Sequence, residues 1–264
     1  MITSTANQQM KNLTALMKKT RERKKQKAFV VEGIKMFLEA PRESVINVYV
    51  SEHFLAEREH AGMLAGYSYE VVADSVFRAV SDTQTPQGIM AVVRTPEYTL
   101  EELFAGERTH LLVLDSIQDP GNLGTMIRTG EGAGLSGVIM NRTTVDLFNP
   151  KTIRSTMGSI YRVPYYVAEN LEETLQKVKE AGVALYAAHL KGTKAYDAFD
   201  YGKPTGFMIG NEGNGLSNEV AELADCYIRI PMEGRVESLN AAVSAALLMY
   251  ECNRQRRKSG ENLV

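Results

Sequence analysis

The stretch His110–Gly134, HLLVLDSIQDPGNLGTMIRTGEGAG, determines the fold class of this chain. Its first residues, LLVL, form an unbroken apolar run that is typical of a strand buried on both faces. The Asp-Pro-Gly turn then ends the strand segment. Leu123, Met126 and Ile127 follow at helical spacing, with Asn122 as a candidate helix cap. A buried strand followed by a helix predicts a parallel α/β unit.

The same alternation continues toward the C-terminus. The apolar strand candidates are GVIMN, ALYAAHL, GFMIGNE and CYIRIPM, and the helix candidates are PKTIRSTMGSI and NLEETLQKVKEAG. A long final helix is predicted over Ser238–Arg257, with Ser238 as its N-cap. Continuous apolar strands alternating with helices predict a parallel sheet that is covered on both faces.

A smaller block precedes this region. AFVVEGIKMFLEA is typical of a strand, a glycine break and a helix, whereas VINVYVSE and YSYEVVA are typical of strands. SDTQTPQGIMAVVRT combines a polar loop with another strand. We therefore predict a small α/β/α domain over residues 1–95, a linker over 96–108 and a larger α/β domain over 109–264.

Composition limits the class of protein. The 264 residues are 44% hydrophobic and 23% charged, as in ordinary globular proteins. No apolar run approaches the roughly 18 to 20 residues that a membrane span needs, and the N-terminus lacks the features of a signal peptide. The two cysteines and four scattered histidines indicate neither a disulfide framework nor a metal site. We expect a cytoplasmic protein without a structural metal.

Positive charge is concentrated near the N-terminus. The net charge is −2, but residues 1–95 carry 13 Lys or Arg against 10 Asp or Glu. Within Lys18–Lys27, seven cations stand against one acid. Such a run can neutralise nucleic-acid phosphates, but it is equally typical of a solvated helix face. From the charges alone, both interpretations remain open.

Three polar segments follow apolar strands, where parallel α/β sheets bind ligands. They are Asp119–Gly124 with Arg128 beyond it, the glycine loop Gly210–Gly215 (GNEGNG), and Ile230–Asn240. Each also has a structural interpretation as a helix cap or a tight turn, although capping does not explain Asn240, a poor helix former. The glycine loop fits neither the GxGxxG pattern nor a Walker loop, which disfavours a nucleotide-dependent oxidoreductase.

Together these segments carry a family resemblance. LDSIQDPGNLGTMIRTGEGAG, GFMIGNEGNGLS and IRIPMEGRVESLNAAVSAALLMYE resemble, in order and spacing, the three motifs of the SpoU (TrmH-like) RNA ribose methyltransferases of the SPOUT superfamily. FVVEGIKMFLEA and SDTQTPQGIMAVV resemble that family's N-terminal substrate-binding domain, which is similar to the ribosomal protein L30e fold. The resemblance implies a catalytic domain with a parallel sheet and a deep trefoil knot, preceded by an L30e-like α/β/α domain.

The resemblance also implies a reaction and a set of site residues. The expected activity is 2′-O-ribose methylation of RNA by S-adenosylmethionine, with ribosomal RNA favoured over tRNA as substrate. Gly210, Ile230 and Leu239 are expected to contact the cofactor, and the catalytic set is Arg128 with Asn122, Glu212, Ser238 and Asn240. The family works as a homodimer, in which an arginine that contacts RNA is contributed across the interface.

The reaction implied is attack of a ribose 2′-hydroxyl on a sulfonium methyl. Free arginine is a poor base, because its pKa lies above about 12. We therefore expect Arg128 chiefly to position the RNA phosphate and the 2′-hydroxyl. In an RNA-modifying enzyme the basic run would hold backbone phosphates, with Arg21, Arg23, Lys24, Lys25 and Lys27 as the candidates. The alternative is a catalytically inactive RNA-binding protein of the same fold, although the intact polar set argues against it.

Overall fold

Residues 1–258 are described in the computed structural model, and they belong to two units. The first unit comprises Met1–Glu97 together with Asp146–Tyr161. The second comprises Tyr98–Val145 and the chain from Arg162 onward. The segment Asp146–Tyr161 follows the predicted strand GVIMN, but its contacts assign it to the N-terminal unit.

The first unit is built on a mixed four-stranded sheet. Its elements are α1 (Gln8–Lys18), α2 (Thr20–Gln26), β1 (Ala28–Glu32), α3 (Ile34–Leu38), β2 (Val45–Ser51), α4 (Glu52–Ala56), β3 (Tyr69–Val72), α5 (Asp74–Val80), β4 (Ile89–Arg94) and, from the later segment, α7 (Pro150–Thr156). The strand order is β1-β4-β2-β3, with β2 and β3 parallel and the other pairs antiparallel. Met10, Leu13 and Leu16 lie on one face of α1 and enter the core beside this sheet.

Arg23 is buried inside this unit and all its N–H groups are used. Its Nε and Nη2 donate to Oδ2 of Asp146 at 2.9 and 2.6 Å, and Nη1 donates to the carbonyls of Leu16 and Met17 at 2.6 and 2.9 Å. Nη2 also donates to the hydroxyl of Thr20. A guanidinium with every donor occupied has none left for a phosphate. The inclusion of Arg23 among the RNA-binding candidates is therefore wrong, and its role is structural.

The second unit is built on a seven-stranded sheet. Its elements are β5 (His110–Leu114), α6 (Pro120–Gly132), β6 (Gly137–Asn141), β7 (Tyr165–Ala168), α8 (Leu171–Glu180), β8 (Ala184–Ala188), β9 (Lys194–Ala195), β10 (Thr205–Ile209), α9 (Asn218–Ala221), β11 (Cys226–Arg229) and α10 (Ala241–Lys258). The strand order is β7-β6-β5-β10-β8-β11-β9, and every pair is parallel. The predicted parallel sheet is confirmed, and the central strands β5 and β10 are buried throughout.

Two helix starts differ from the sequence prediction. Asp119, rather than Asn122, caps α6, because its carboxylate accepts the N–H of Asn122 at 2.8 Å. The last helix begins at Ala241 rather than at Ser238, and the side chain of Asn240 accepts the N–H of Ala242 at 2.9 Å. Asn122 therefore lies in the first turn of α6, and Asn240 directly precedes α10.

Two short strands, β7 and β9, were not anticipated. Strand β7 (YYVA) is only four residues long with a single buried position, and β9 has only two residues. Among the helices of residues 1–258, none combines the length and the apolar character needed to cross a bilayer.

Candidate active site

Polar residues gather where β6, β5 and β10 end, at the carboxyl edge of the parallel sheet. Asp115 follows β5, Asn141 ends β6 and Gly210 follows β10. Because these strands are neighbours in the sheet, the segments that follow them meet at one edge. This is the edge at which parallel α/β sheets bind ligands.

Asp115 holds this edge together. Its carboxylate is buried, and Oδ2 accepts hydrogen bonds from the backbone N–H (2.9 Å) and the hydroxyl (2.7 Å) of Ser217. Oδ1 accepts from Nδ2 of Asn141 at 2.8 Å and from the hydroxyl of Ser116 at 3.0 Å. A buried carboxylate is costly without such donors. Asp115 therefore fixes the ends of β5 and β6 relative to the segment after the glycine loop.

The glycine loop folds back on itself through Asn211. Its backbone exchanges two hydrogen bonds of 2.9 Å with the backbone of Gly215, and its Nδ2 donates to the Ser116 carbonyl at 2.8 Å. Gly210 has no room for a side chain, because a Cβ there would lie 2.0 Å from the carbonyl carbon of Gly215. The loop thus presents bare backbone next to the end of β5.

Glu212 joins the glycine loop to the start of α6. Its Oε1 accepts from Nδ2 of Asn122 at 3.0 Å and from the N–H of Asp119 at 3.1 Å, and its Oε2 accepts from the N–H of Gln118 at 3.0 Å. Burial raises the pKa of Glu212, but the hydrogen bonds from Asn122, Gln118 and Asp119 outweigh it and hold the pKa below its ordinary value. The carboxylate is therefore ionised at neutral pH.

Asn122 and Asn240 extend this chain of hydrogen bonds to the last helix. Nδ2 of Asn240 donates to Oδ1 of Asn122 at 3.0 Å. Oδ1 of Asn240 in turn accepts the N–H groups of Ala242 and Val243 at 2.9 and 3.3 Å. Each amide is thereby oriented by its neighbours. We call the set Glu212, Asn122 and Asn240 the relay; it joins the three polar segments recognised in the sequence.

A cavity of about 270 Å³ adjoins the relay. The three predicted cofactor residues, Gly210, Ile230 and Leu239, all line it, as do Glu212 and Ser238. Apolar residues also line it, among them Ala188, Ile209, Leu216, Ile228, Met232 and Ala241, together with the polar Asn211, Asn214, Arg229 and Glu237. Apolar walls combined with polar groups are typical of sites for small organic ligands.

The other predicted catalytic residue, Arg128, is not part of this set of contacts. It is exposed on α6 and makes no hydrogen bond or ion pair within residues 1–258. Among the basic candidates in the first unit, Arg21, Lys24, Lys25 and Lys27 are exposed, and Lys27 is paired with Glu97 at 2.5 Å. The structure thus brings together the relay and the cavity lining, and it leaves Arg128 and every basic candidate except the buried Arg23 exposed to solvent.

Several residues of this site were missed in the sequence. Asp115, Asn141 and Asn211 organise the edge, and His189 lines the cavity. The signal that could have identified them is their position, since each comes at or just after the end of a predicted strand. Polar residues at the carboxyl ends of parallel strands merit the same attention as the recognised motifs.

Comparison with protein families gives two matches, which divide the chain. Residues 109–250 match the model of the SpoU rRNA Methylase family, and residues 7–91 match the MRM3-like substrate binding domain. The first match spans every residue of the relay and the cavity. The second spans the basic helices α1 and α2.

Individual relatives match over nearly their whole length. The 23S rRNA (guanosine(2553)-2′-O)-methyltransferase RlmP of Bacillus subtilis is 36% identical over 251 residues, which cover 94% of this chain and 97% of that protein. The AdoMet-bound rRNA methyltransferase of Sinorhizobium meliloti has a TM-score of 0.84 at 32% identity, covering 96% of this chain and 97% of that one. The SpoU methyltransferase AviRb of Streptomyces viridochromogenes, in complex with AdoMet, has a TM-score of 0.85 at 27% identity, covering 96% and 100%.

Proposed function

The chain belongs to the SpoU rRNA methylase family and is an RNA 2′-O-ribose methyltransferase that uses S-adenosylmethionine, and we propose that ribosomal RNA is its substrate. The observation that carries the proposal is the relay beside the cavity, because it joins the three family motifs at one edge of the sheet. The similarity to an enzyme named for its action on 23S rRNA supports the choice of RNA. A ribosomal RNA substrate also implies a cytoplasmic location.

The cavity suits the adenosyl part of the cofactor. Its aliphatic walls can enclose a base, and the glycine loop offers backbone groups at a point where no side chain can intrude. Gly210, Ile230 and Leu239 would hold the cofactor chiefly through their main chain. When bound, S-adenosylmethionine supplies an electrophilic methyl group on a sulfonium.

The residues of the chain then have to orient the nucleophile. Methyl transfer from a sulfonium needs in-line approach of the 2′-hydroxyl, so correct positioning supplies much of the rate. We assign Arg128, whose guanidinium is uncommitted within residues 1–258, to the RNA phosphate beside the reacting ribose. Ser238 and the relay would hold the 2′-hydroxyl and the surrounding loops. As the bond from the 2′-oxygen to the methyl carbon forms, the hydroxyl has to lose its proton, and Arg128 contributes by positioning the ribose.

Replacing Arg128 with Ala tests this assignment. We expect loss of methyl transfer from labelled S-adenosylmethionine to ribosomal RNA by at least about 100-fold, because the positioning contact is removed. Binding of S-adenosylhomocysteine, measured by calorimetry, should remain within about twofold of the wild type. Arg142→Ala, at an exposed arginine paired with Glu169, is the matched control and should retain activity. Full activity of the Arg128 variant would contradict the assignment.

The first unit is the proposed RNA-holding part, and we assign it an L30e-like fold. Arg21, Lys24 and Lys25 are exposed on α2, and Lys27 follows that helix. Cations on one short element can contact successive phosphates without reading bases. Support comes from the match of residues 7–91 to a substrate binding domain.

A knotted C-terminal region is also part of the proposal. Strand β11 lies between β8 and β9, and residues 189–193, which join those two strands, cross the end of β11. The N–H of His189 donates to the Ile228 carbonyl at 3.1 Å, and a Cβ on Gly192 would lie 2.7 Å from the carbonyl carbon of Ile228. This crossing of an earlier connection over the end of β11 supports a trefoil knot.

We further propose that the enzyme is a homodimer through α10. Val243, Leu247 and Tyr250 lie at helical spacing and are 48%, 36% and 47% exposed. The opposite face of α10 is buried in the core through Ala245, Leu248 and Met249. A helix that is apolar on a second, exposed face is typical of a subunit contact.

A further inference from the structure

His189 lines the cavity but takes no part in the relay. It lies on the connection of residues 189–193 and is held from two sides. Its Nδ1 accepts the backbone N–H of Lys191 at 3.1 Å. Its ring stacks on Tyr227, with the ring centroids 4.8 Å apart and the planes 26° from parallel. An imidazole fixed in this way can recognise a ligand without first losing much freedom.

The hydrogen bond from Lys191 determines which nitrogen of His189 carries the proton. Because Nδ1 accepts, the proton of the neutral ring is on Nε2. Within residues 1–258, Nε2 has no hydrogen-bond partner of its own, so it is available as a donor in a residue that lines the cavity. Burial and, next, the positive charge of Lys191 lower the pKa of His189, and the ring is neutral at physiological pH. A neutral donor suits a site that receives a sulfonium cation and is also lined by Arg229.

The sheet order indicates which part of the cofactor His189 faces. Two members of the relay, Asn122 and Glu212, lie on the segments after β5 and β10, and Asn240 reaches Asn122 from the segment after β11. His189 directly follows β8, on the other side of β10 from β5. The reacting methyl has to face the relay, where the RNA hydroxyl would be held. The part of the cofactor nearest β8 is therefore a non-reacting part, and the apolar lining there, Ala188 and Ile228, suits the nucleoside better than the charged amino-acid tail.

We propose that Nε2–H of His189 donates a hydrogen bond to the adenosine part of S-adenosylmethionine, which makes His189 a cofactor-recognition residue. This inference rests on the proposed function of the cavity. It adds a side-chain contact to a pocket whose other assigned contacts, at Gly210, Ile230 and Leu239, are made by the main chain.

Calorimetric titration of the full-length protein without RNA tests the proposal. The ligands are S-adenosylhomocysteine and 5′-methylthioadenosine, which share the nucleoside but differ in the amino-acid tail. In His189→Asn the shorter amide can still accept the Lys191 N–H, but the Nε2 donor is lost. We expect both ligands to bind about 5- to 10-fold more weakly, as for one lost hydrogen bond. His53→Asn, at an exposed histidine of the first unit, should change neither affinity.

Two further variants separate recognition from loss of structure. His189→Gln places an amide N–H near the former Nε2 and should recover part of the affinity. Tyr227→Leu keeps the donor but removes the stacked partner, and should weaken both ligands less than His189→Asn does. Thermal melting of each variant shows whether it is folded.

The outcomes distinguish this inference from the assignment of the cavity. If the wild type binds neither ligand, the proposed cofactor site and the role of His189 both fall. If the wild type binds and folded His189→Asn binds both ligands equally well, only the role of His189 is overturned. A loss confined to S-adenosylhomocysteine would place His189 at the amino-acid end and overturn the nucleoside assignment.

Discussion

At the scale of single residues, Glu212 decides how the site is assembled. Three N–H donors from the start of α6, those of Gln118, Asp119 and the Asn122 amide, converge on its two oxygens. An ionised carboxylate is acceptor-only and satisfies all three. Any replacement that presents a donor leaves at least one of these groups unpaired.

Glu212→Gln tests that dependence. The new amide N–H₂ has to face one of the three donors, which costs about 0.5–1.5 kcal/mol, the net value of one hydrogen bond at this exposed position. We expect methyl transfer to fall by about 10- to 100-fold, with a smaller effect on S-adenosylhomocysteine affinity, because the relay orients Asn122 more directly than it shapes the cavity. Radiolabelled transfer to ribosomal RNA and calorimetry measure the two effects. Glu219→Gln, at an exposed position of α9, is the control. If methyl transfer fell equally in that variant, the loss in Glu212→Gln could not be assigned to the relay.

At the scale of elements, α2 contains two kinds of cation. Arg23 is 5% exposed and joins α1, α2 and the segment at Asp146. Arg21, Lys24 and Lys25 project from the same helix into solvent. Helical periodicity separates them, since position 23 alone turns toward the core.

Two variants on α2 should therefore act differently. Arg23→Ala leaves Asp146 without its partner and should lower the free energy of unfolding by about 3–5 kcal/mol. Lys24→Ala with Lys25→Ala should change that free energy by about 0.5 kcal/mol or less per site, but should weaken RNA binding and flatten its salt dependence. Denaturant unfolding and RNA titration at several salt concentrations measure the contrast. An unchanged salt dependence of RNA binding in the double variant would indicate that these lysines only face solvent and do not contact RNA.

Strand β5 begins with His110, whose buried environment favours the neutral form of the ring. Nε2 of His110 is buried without a partner within residues 1–258. Burial, followed by the charge of Arg256, lowers the pKa of His110 to about 3. The unfolded chain binds this proton below about pH 6.5 whereas the folded chain does not. The free energy of unfolding therefore falls as pH drops from about 6.5 toward 3, by up to about 1.4 kcal/mol per pH unit.

His110→Leu should remove this contribution. We expect the stability of the variant at pH 7 to lie within about 1 kcal/mol of the wild type, because removal of the unpaired Nε2 offsets the loss of the hydrogen bond between the ring and the Gly134 backbone. It should lose less stability than the wild type between pH 7 and pH 5. Guanidinium chloride unfolding at both pH values measures the difference. A slope equal to that of the wild type in His110→Leu would contradict the prediction.

At the scale of the whole molecule, the homodimer proposal depends on the exposed face of α10. Replacing Val243 and Leu247 together by Glu places two charges in the proposed interface. We expect sedimentation velocity to shift from a dimer to a monomer, since unpaired charges are costly when buried. Ile46→Glu, at an exposed apolar residue of β2, should remain dimeric. A dimer that persists in the double variant would place the interface elsewhere.

Much of the fold and of the site could be predicted from the sequence. The apolar strands and their helices predict a parallel sheet, because burial on both faces requires continuous apolar runs. The family motifs predict that Asn122, Glu212 and Asn240 share a site, and the cavity is lined by all three predicted cofactor residues. These features depend on local pattern and on motif order, which a sequence displays directly.

Other features were decided only by the tertiary structure. Arg23 has the same chemistry as its neighbours, and only the approach of Asp146, 123 positions later, makes it a buried structural residue. Asn240 ends a hydrogen-bonded relay only because the strand order brings its loop to Asn122, 118 positions earlier. His189 lines the cavity because the connection of residues 189–193 crosses β11. Each depends on contacts between residues far apart in the chain, and a local pattern carries no record of such contacts.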